Sequence, residues 1–384
     1  MRFRHAGILA LCLVCLLLSG CWDYVEIEAL DFVLGLGVDQ IDPEYVVVME
    51  MAKTSGGGQQ ASVEPKVLAT KGQSVSSAGR ALSNPAGLRA IWSHAYVFLI
   101  SEQVAQDGIL PAVEYIVRSR NTRSTIWVFI TRDCTAEEVF KSKPPMANSV
   151  SEHLNAVVLM QETISGFLPL QVWELHQELA DEGVYATLPT VRLVHEQGEL
   201  VPLVEGTAVL KDDKMIGWLD GHESDIFCLL KGILQRGHFV IDTRVEDKGR
   251  FPITYELVGN QLQAKPVFKD GEISMSLSLD MQFAVEEMGR APLNFRDEKM
   301  ASSVEAQLAT AFQEWVEELF WKLQHELNAD VLGFGRLFKR KEPEAWRRFG
   351  KDWDTNFRNL PVDVEVTCQV VVAGLSSEPI NVRD

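Results

Sequence analysis

Residues 272–285, Glu272-Ile273-Ser274-Met275-Ser276-Leu277-Ser278-Leu279-Asp280-Met281-Gln282-Phe283-Ala284-Val285, place an apolar side chain at every second position, with mostly polar residues between. A period of two puts Ile273, Met275, Leu277, Leu279, Met281, Phe283 and Val285 on one face of a strand and leaves the other face to water, as in an antiparallel sheet with one covered side. Residues 361–371 repeat the device with Val362, Val364, Val366, Cys368 and Val370.

The segment between these strands has a different period. Val304, Leu308, Phe312, Trp315, Val316, Leu319, Phe320, Leu323 and Leu327 fall at three- and four-residue steps, which predicts one long helix over residues 299–328. At 1.5 Å per residue it would be about 45 Å long. Its stripe is expected to pack on the sheet; a docking partner helix is the other use for such a face. Upstream, residues 204–210 and 215–219 read as a hairpin across Lys211-Asp212-Asp213-Lys214, followed by a helix near residues 224–231.

The first half mixes elements more evenly. Residues 31–38 and 45–52 read as strands, 54–64 as a glycine-rich loop, 74–82 as a helix and 95–100 as a strand. A helix at 109–118, a strand at 125–131 and a helix at 135–141 opened by a capping Thr135 follow. Residues 142–200 read as helical or irregular, punctuated by Pro144-Pro145, Pro169 and Pro189. The fold class is therefore α+β and multi-domain, with mixed or antiparallel sheets, packed helices and one long helix in the C-terminal half. The expected division is a leader at 1–20, an N-terminal α+β domain at 21–200 and a C-terminal antiparallel-sheet domain at 201–384 that subdivides near 235.

The N-terminus carries its own signal. Arg2 and Arg4 precede an apolar run over residues 6–18, and Leu18-Ser19-Gly20-Cys21 closes it with small residues before a cysteine. About 13 apolar residues fall short of the roughly 20 needed to cross a bilayer. The pattern resembles a lipoprotein signal, which implies a diacylglyceryl group on the Cys21 thiol and cleavage just before it. An uncleaved helix, or an ordinary secretory signal with an incidental cysteine, is the plainer alternative.

The 384 residues are 46% hydrophobic and 23% charged, enough apolar material for more than one core. The formal charge is −18, and loss of a leader with Arg2 and Arg4 would deepen it by two, which argues against nucleic acid as a partner. Cys134, Cys228 and Cys368 are too widely spaced for a disulfide framework or a metal site and are expected to be buried thiols. No phosphate loop, HExxH, GxSxG or EF-hand spacing is present, and Gly35-Leu36-Gly37 lacks the third glycine of a dinucleotide loop. Glu152-His153, His195-Glu196 and His222-Glu223 are sequence neighbours whose side chains diverge on a helix or strand. The expectation is no catalytic residue, no metal and no cofactor.

One stretch opposes the overall charge. Arg336, Lys339, Arg340, Lys341, Arg347, Arg348 and Lys351 stand against only Glu342 and Glu344, with Trp346, Phe349 and Trp353 interleaved. Anionic headgroups or an acidic partner surface suit such an island; a solvated face with its aromatics turned inward is the simpler reading.

Several stretches together resemble the C-subunit lipoproteins of spore germinant receptors, the Ger(x)C family. They are Leu18-Ser19-Gly20-Cys21-Trp22-Asp23, Val33-Leu34-Gly35-Leu36-Gly37-Val38-Asp39, and His94-Ala95-Tyr96-Val97-Phe98-Leu99-Ile100. Further on come Gly206-Thr207-Ala208-Val209-Leu210-Lys211, Gly217-Trp218-Leu219, Leu229-Leu230-Lys231-Gly232, Asp330-Val331-Leu332-Gly333-Phe334-Gly335 and residues 346–353. The resemblance implies a lipid-anchored, non-catalytic subunit on the outer face of the spore inner membrane, beside integral-membrane A and B subunits, needed for germination by nutrients. Where relatives often carry Arg after the Asp, this chain has Tyr24. A solute-binding lipoprotein is the rival from another class, and a wall-directed hydrolase a third.

Overall fold

The computed structural model describes residues 30–41, 43–55, 62–82, 89–119, 122–161, 166–245, 248–289, 291 and 293–372, with residue 5. Cys21 lies outside the described residues.

Nine strands form the first sheet: β1 (Leu30–Ile41), β2 (Glu44–Ser55), β3 (Ser62–Gly72), β4 (Arg89–Ile91), β5 (Val97–Ser101), β6 (Trp127–Thr131), β7 (Thr187–Glu196), β8 (Glu199–Lys211) and β9 (Lys214–Leu219). Their order is β3-β2-β1-β5-β6-β7-β8-β9, with β4 beside β1. The centre, β1-β5-β6-β7, is parallel, and antiparallel pairs close both flanks. Parallel strands are covered on both faces, so β5 reads Val-Phe-Leu-Ile-Ser and is buried throughout.

One face carries α1 (Val75–Ala81), α2 (Glu102–Asp107), α3 (Leu110–Arg118) and α6 (Val172–Ala180), packed over Leu36, Phe98, Val128 and Leu188. The other carries α4 (Ala136–Lys141) and α5 (Val150–Leu159), packed over Val48, Leu99 and Phe129. Thr135 caps α4 in a reciprocal capping box with Glu138, as its sequence predicts.

After α7 (Gly221–Leu230) the chain builds a second sheet from β10 (Gly237–Val245), β11 (Gly249–Lys269), β12 (Glu272–Glu287) and β13 (Val362–Val372), in that order. Met275, Leu277, Leu279, Met281, Phe283 and Val285 of β12 are all buried, and α8 (Glu298–Trp321) lies on them through Val304, Leu308, Phe312 and Val316. The Phe283 and Phe312 rings sit 5.2 Å apart; burying each such side chain contributes about 1.5–3 kcal/mol.

One strand departs from expectation. β13 runs parallel to β12, not antiparallel, because the chain between them crosses the sheet as a series of helices before returning. α8 ends at Trp321 and widens into a π turn over Lys322–Glu326, where the buried Gln324 amide donates to the carbonyls of Phe357 and Leu360, both at 2.8 Å. Residues 200 and 201 lie in β8, just past the tight hairpin turn that Gln197 and Gly198, both at positive φ, make between β7 and β8. The change of sheet comes between Leu219 and Gly237.

Candidate functional site

Past the π turn the chain enters a segment whose charge is buried. Asp330 is 1% exposed. Its Oδ1 accepts from the backbone N–H of Gly333 (2.8 Å) and Phe334 (3.0 Å), and its Oδ2 from Gly335 N–H (2.7 Å) and the Trp353 indole N–H (2.9 Å). Those amides open α9 (Phe334–Lys341), whose N-cap Gly333 is left-handed and has no capping side chain of its own. Asp330 fills that role from three residues upstream and gains from the positive end of the helix. Burial pushes its carboxyl pKa up, against the pull of four donors.

The same segment fastens the second sheet to the first. Arg336 N–H donates to Gly183 O and Tyr185 N–H to Asp330 O, both at 2.9 Å. Gly183 and Gly335 touch backbone to backbone: a Cβ on Gly335 would sit 2.7 Å from the Gly183 Cα, and Gly183 itself has φ +89°. The Tyr185 hydroxyl donates to Asp354 at 2.9 Å, and Lys211 Nζ reaches Asp354 at 2.7 Å and the Asn328 carbonyl at 2.9 Å. Lys231 Nζ donates to Val331 O at 3.2 Å, and burial lowers its pKa. Lys211, Lys231, Asp330 to Gly335, and Trp346 to Trp353, scattered in sequence, thus converge on one junction. Sequence reasoning missed Gly183, Tyr185 and Asp354; Gly183 alone carried a signal, standing in Asp181-Glu182-Gly183 before a strand.

The basic island occupies α9, α10 (Pro343–Phe349) and the turn before α11 (Trp353–Arg358). All seven cations are exposed. Arg336 pairs with Asp181 at 2.8 Å and Lys339 with Glu182 at 3.0 Å, so these two serve the junction. Arg347 donates to its own helix at Pro343 O, and the Arg348 guanidinium lies over the Phe349 ring. Arg340, Lys341 and Lys351 have no ion pair among the described residues. The aromatics turn inward: Trp353 packs on Phe338 (5.6 Å) and Trp346 (5.4 Å), and Phe349 on Phe268 (6.3 Å).

At the far side of the first sheet, the glycine-bearing strand has a packing role. A Cβ on Gly35 would strike Ser151 Oγ and the Phe140 ring, and one on Gly37 would come within 2.7 Å of Ala136. Those glycines let α4 and α5 sit directly on β1. Asp39 accepts from the N–H of Ala136 (2.7 Å) and Glu137 (3.0 Å), and Glu50 from Val150 (3.0 Å) and Ser151 (2.8 Å), so two buried strand carboxylates cap the two helices. Burial raises the pKa of both, Asp39 to about 6.

Among the described residues no group of three His, Cys, Asp or Glu could hold a metal, and no helix is long and apolar enough to cross a membrane. His238 and Glu286 approach to 2.7 Å on an exposed strand face. Cys134, Cys228 and Cys368 are free thiols, each pushed up to about 12 by burial first of all.

Fold and junction define a two-sheet α+β protein whose shared motif residues hold two bodies together. The chain belongs to the Ger(x)C family of spore germination proteins: residues 23–193 match the spore germination protein N-terminal domain, and residues 205–374 the spore germination B3/GerAC-like C-terminal domain. The two matches meet across the β7–β8 hairpin. Spore germination protein A3 of Bacillus subtilis (strain 168) is 26% identical, covering 97% of this chain and 99% of that protein. Spore germination protein B3 of the same strain is 22% identical over 94% and 95%. The crystal structure of the GerBC protein superposes with a TM-score of 0.54 at 17% identity, over 88% of this chain and 97% of that one, and shares the fold.

Proposed function

We propose that this chain is the lipid-anchored C subunit of a nutrient germinant receptor, held on the outer face of the spore inner membrane through Cys21 and working beside integral-membrane A and B subunits without catalysing a reaction. The observation that carries this reading is coverage: the two family matches span residues 23–193 and 205–374, and the first begins just past the leader-like stretch that ends at Cys21. Two acyl chains on one cysteine give stable anchoring where one gives only marginal binding. Confinement to the plane of the partners raises effective concentration, so individually weak contacts suffice.

The junction supports a role in presenting surfaces. Its lysines and carboxylates engage each other and the backbone, and the motif residues are spent on fixing one sheet against the other. Deleting the gene is expected to abolish germination with the nutrients sensed by its companion receptor genes. Normal germination with every such nutrient would contradict the reading. Micromolar binding of an amino acid or sugar by the isolated chain, measured by calorimetry, would favour the solute-binding alternative instead.

A further inference from the structure

The parallel strands β1, β5, β6 and β7 share one sheet end at their N-termini: Gly35 aligns with Val97, Val97 with Trp127, and Ile130 with Thr190. Leu30 therefore begins β1 at the same end of the sheet from which residues 181–185 lead into β7. Residues 181–183 hold α9, through Arg336 to Asp181, Lys339 to Glu182 and Arg336 N–H to Gly183 O. Three strand spacings separate β1 from β7, roughly 14 Å at 4.7–4.9 Å each. Eight residues lie between Cys21 and Leu30, and the nine steps from one to the other reach at most about 30 Å.

From this register we infer that the exposed face of α9 and α10, bearing Arg340, Lys341, Arg347, Arg348 and Lys351, lies against the bilayer and binds anionic phospholipid headgroups. The inference rests on anchoring at Cys21. A protein of charge −18 is repelled by an anionic surface everywhere except where cations gather. These five outnumber Glu342, Glu344 and Asp352 beside them, and the acids that neutralise Arg336 and Lys339 belong to the junction behind. An apolar recess of about 210 Å³, lined by Leu262, Leu332 and Leu337 with Arg336 and Arg340 among its walls, adjoins the cations. A guanidinium beside an apolar hollow suits a molecule with an anionic head and a hydrocarbon tail. The face would fix which way the tethered body leans, and so which surfaces its partners meet.

The test is flotation of the chain starting at residue 22 with vesicles of phosphatidylcholine alone, or mixed in equal parts with phosphatidylglycerol. That form lacks Cys21 and keeps every buried core residue among those described, from Val33 to Cys368, so its result is independent of the anchor. The expected result is flotation with the anionic vesicles only, weakened by salt and reduced about tenfold or more by Arg340→Glu with Lys341→Glu. Circular dichroism and the thermal midpoint check that the variant stays folded; Arg340→Gln with Lys341→Gln replaces it should the reversal unfold. Equal flotation with neutral vesicles, none with anionic ones, or unchanged flotation of a folded variant would overturn the inference.

Discussion

The Trp353 indole donates to Asp330 Oδ2 at 2.9 Å, joining two buried residues that flank the basic helices. This contact holds α9 and α10 in place, because Asp330 also caps α9 while Trp353 opens α11. Trp353→Phe keeps much of the packing and removes one donor, so it is expected to cost about 1–3 kcal/mol by urea denaturation. Asp330→Ala strands three backbone N–H groups and is expected to cost more. A Trp353→Phe variant as stable as the parent would show that the carboxylate is satisfied without the indole.

Gly183 makes a second, separable point of attachment. Its φ of +89° disfavours any side chain, and an added Cβ would meet the Gly335 carbonyl carbon at 2.7 Å. Gly183→Ala is expected to lower stability by about 1–3 kcal/mol and to speed hydrogen exchange at the Arg336 amide, whose acceptor is Gly183 O. Unchanged exchange at that amide would mean that the junction does not depend on this approach.

Asp39 gives a pH signature with a definite sign. Its folded-state pKa is raised from 3.8 to about 6, chiefly by burial, so the folded state holds a proton that the unfolded state releases. Stability from this group is fully present below about pH 4 and is lost as pH rises through about 6. Relative to Asp39→Asn, which cannot titrate, the parent should lose up to about 3 kcal/mol between those limits. Denaturation of both proteins across that range measures it; a constant difference would contradict the burial effect.

Much of the fold is legible in the sequence where one face is wet, since water enforces a period. The alternation in residues 272–285 and the stripe on α8 needed no partner to be read. β3 escaped notice because it is an edge strand with Pro65, Lys66 and Lys71. β7 escaped because Pro189 looks like a breaker, yet it falls where the β7–β8 register shifts. The anomalous charge of residues 336–351 was visible, but not the fact that Arg336 and Lys339 are neutralised by acids 155 and 157 positions away. Asp330 stood in a quoted stretch, but its capping role was hidden for the same reason. Its partners are backbone amides and one distant indole, and no spacing rule reports such a set.

Anchoring through Cys21 is tested by membrane fractionation after a high-salt wash, because salt strips electrostatic contacts and leaves an acyl anchor in place. The chain with Cys21 should stay with the washed membrane, and Cys21→Ala should leave it or fail to accumulate. Cys21→Ala protein retained in washed membranes at the normal level would contradict a lipid anchor at Cys21.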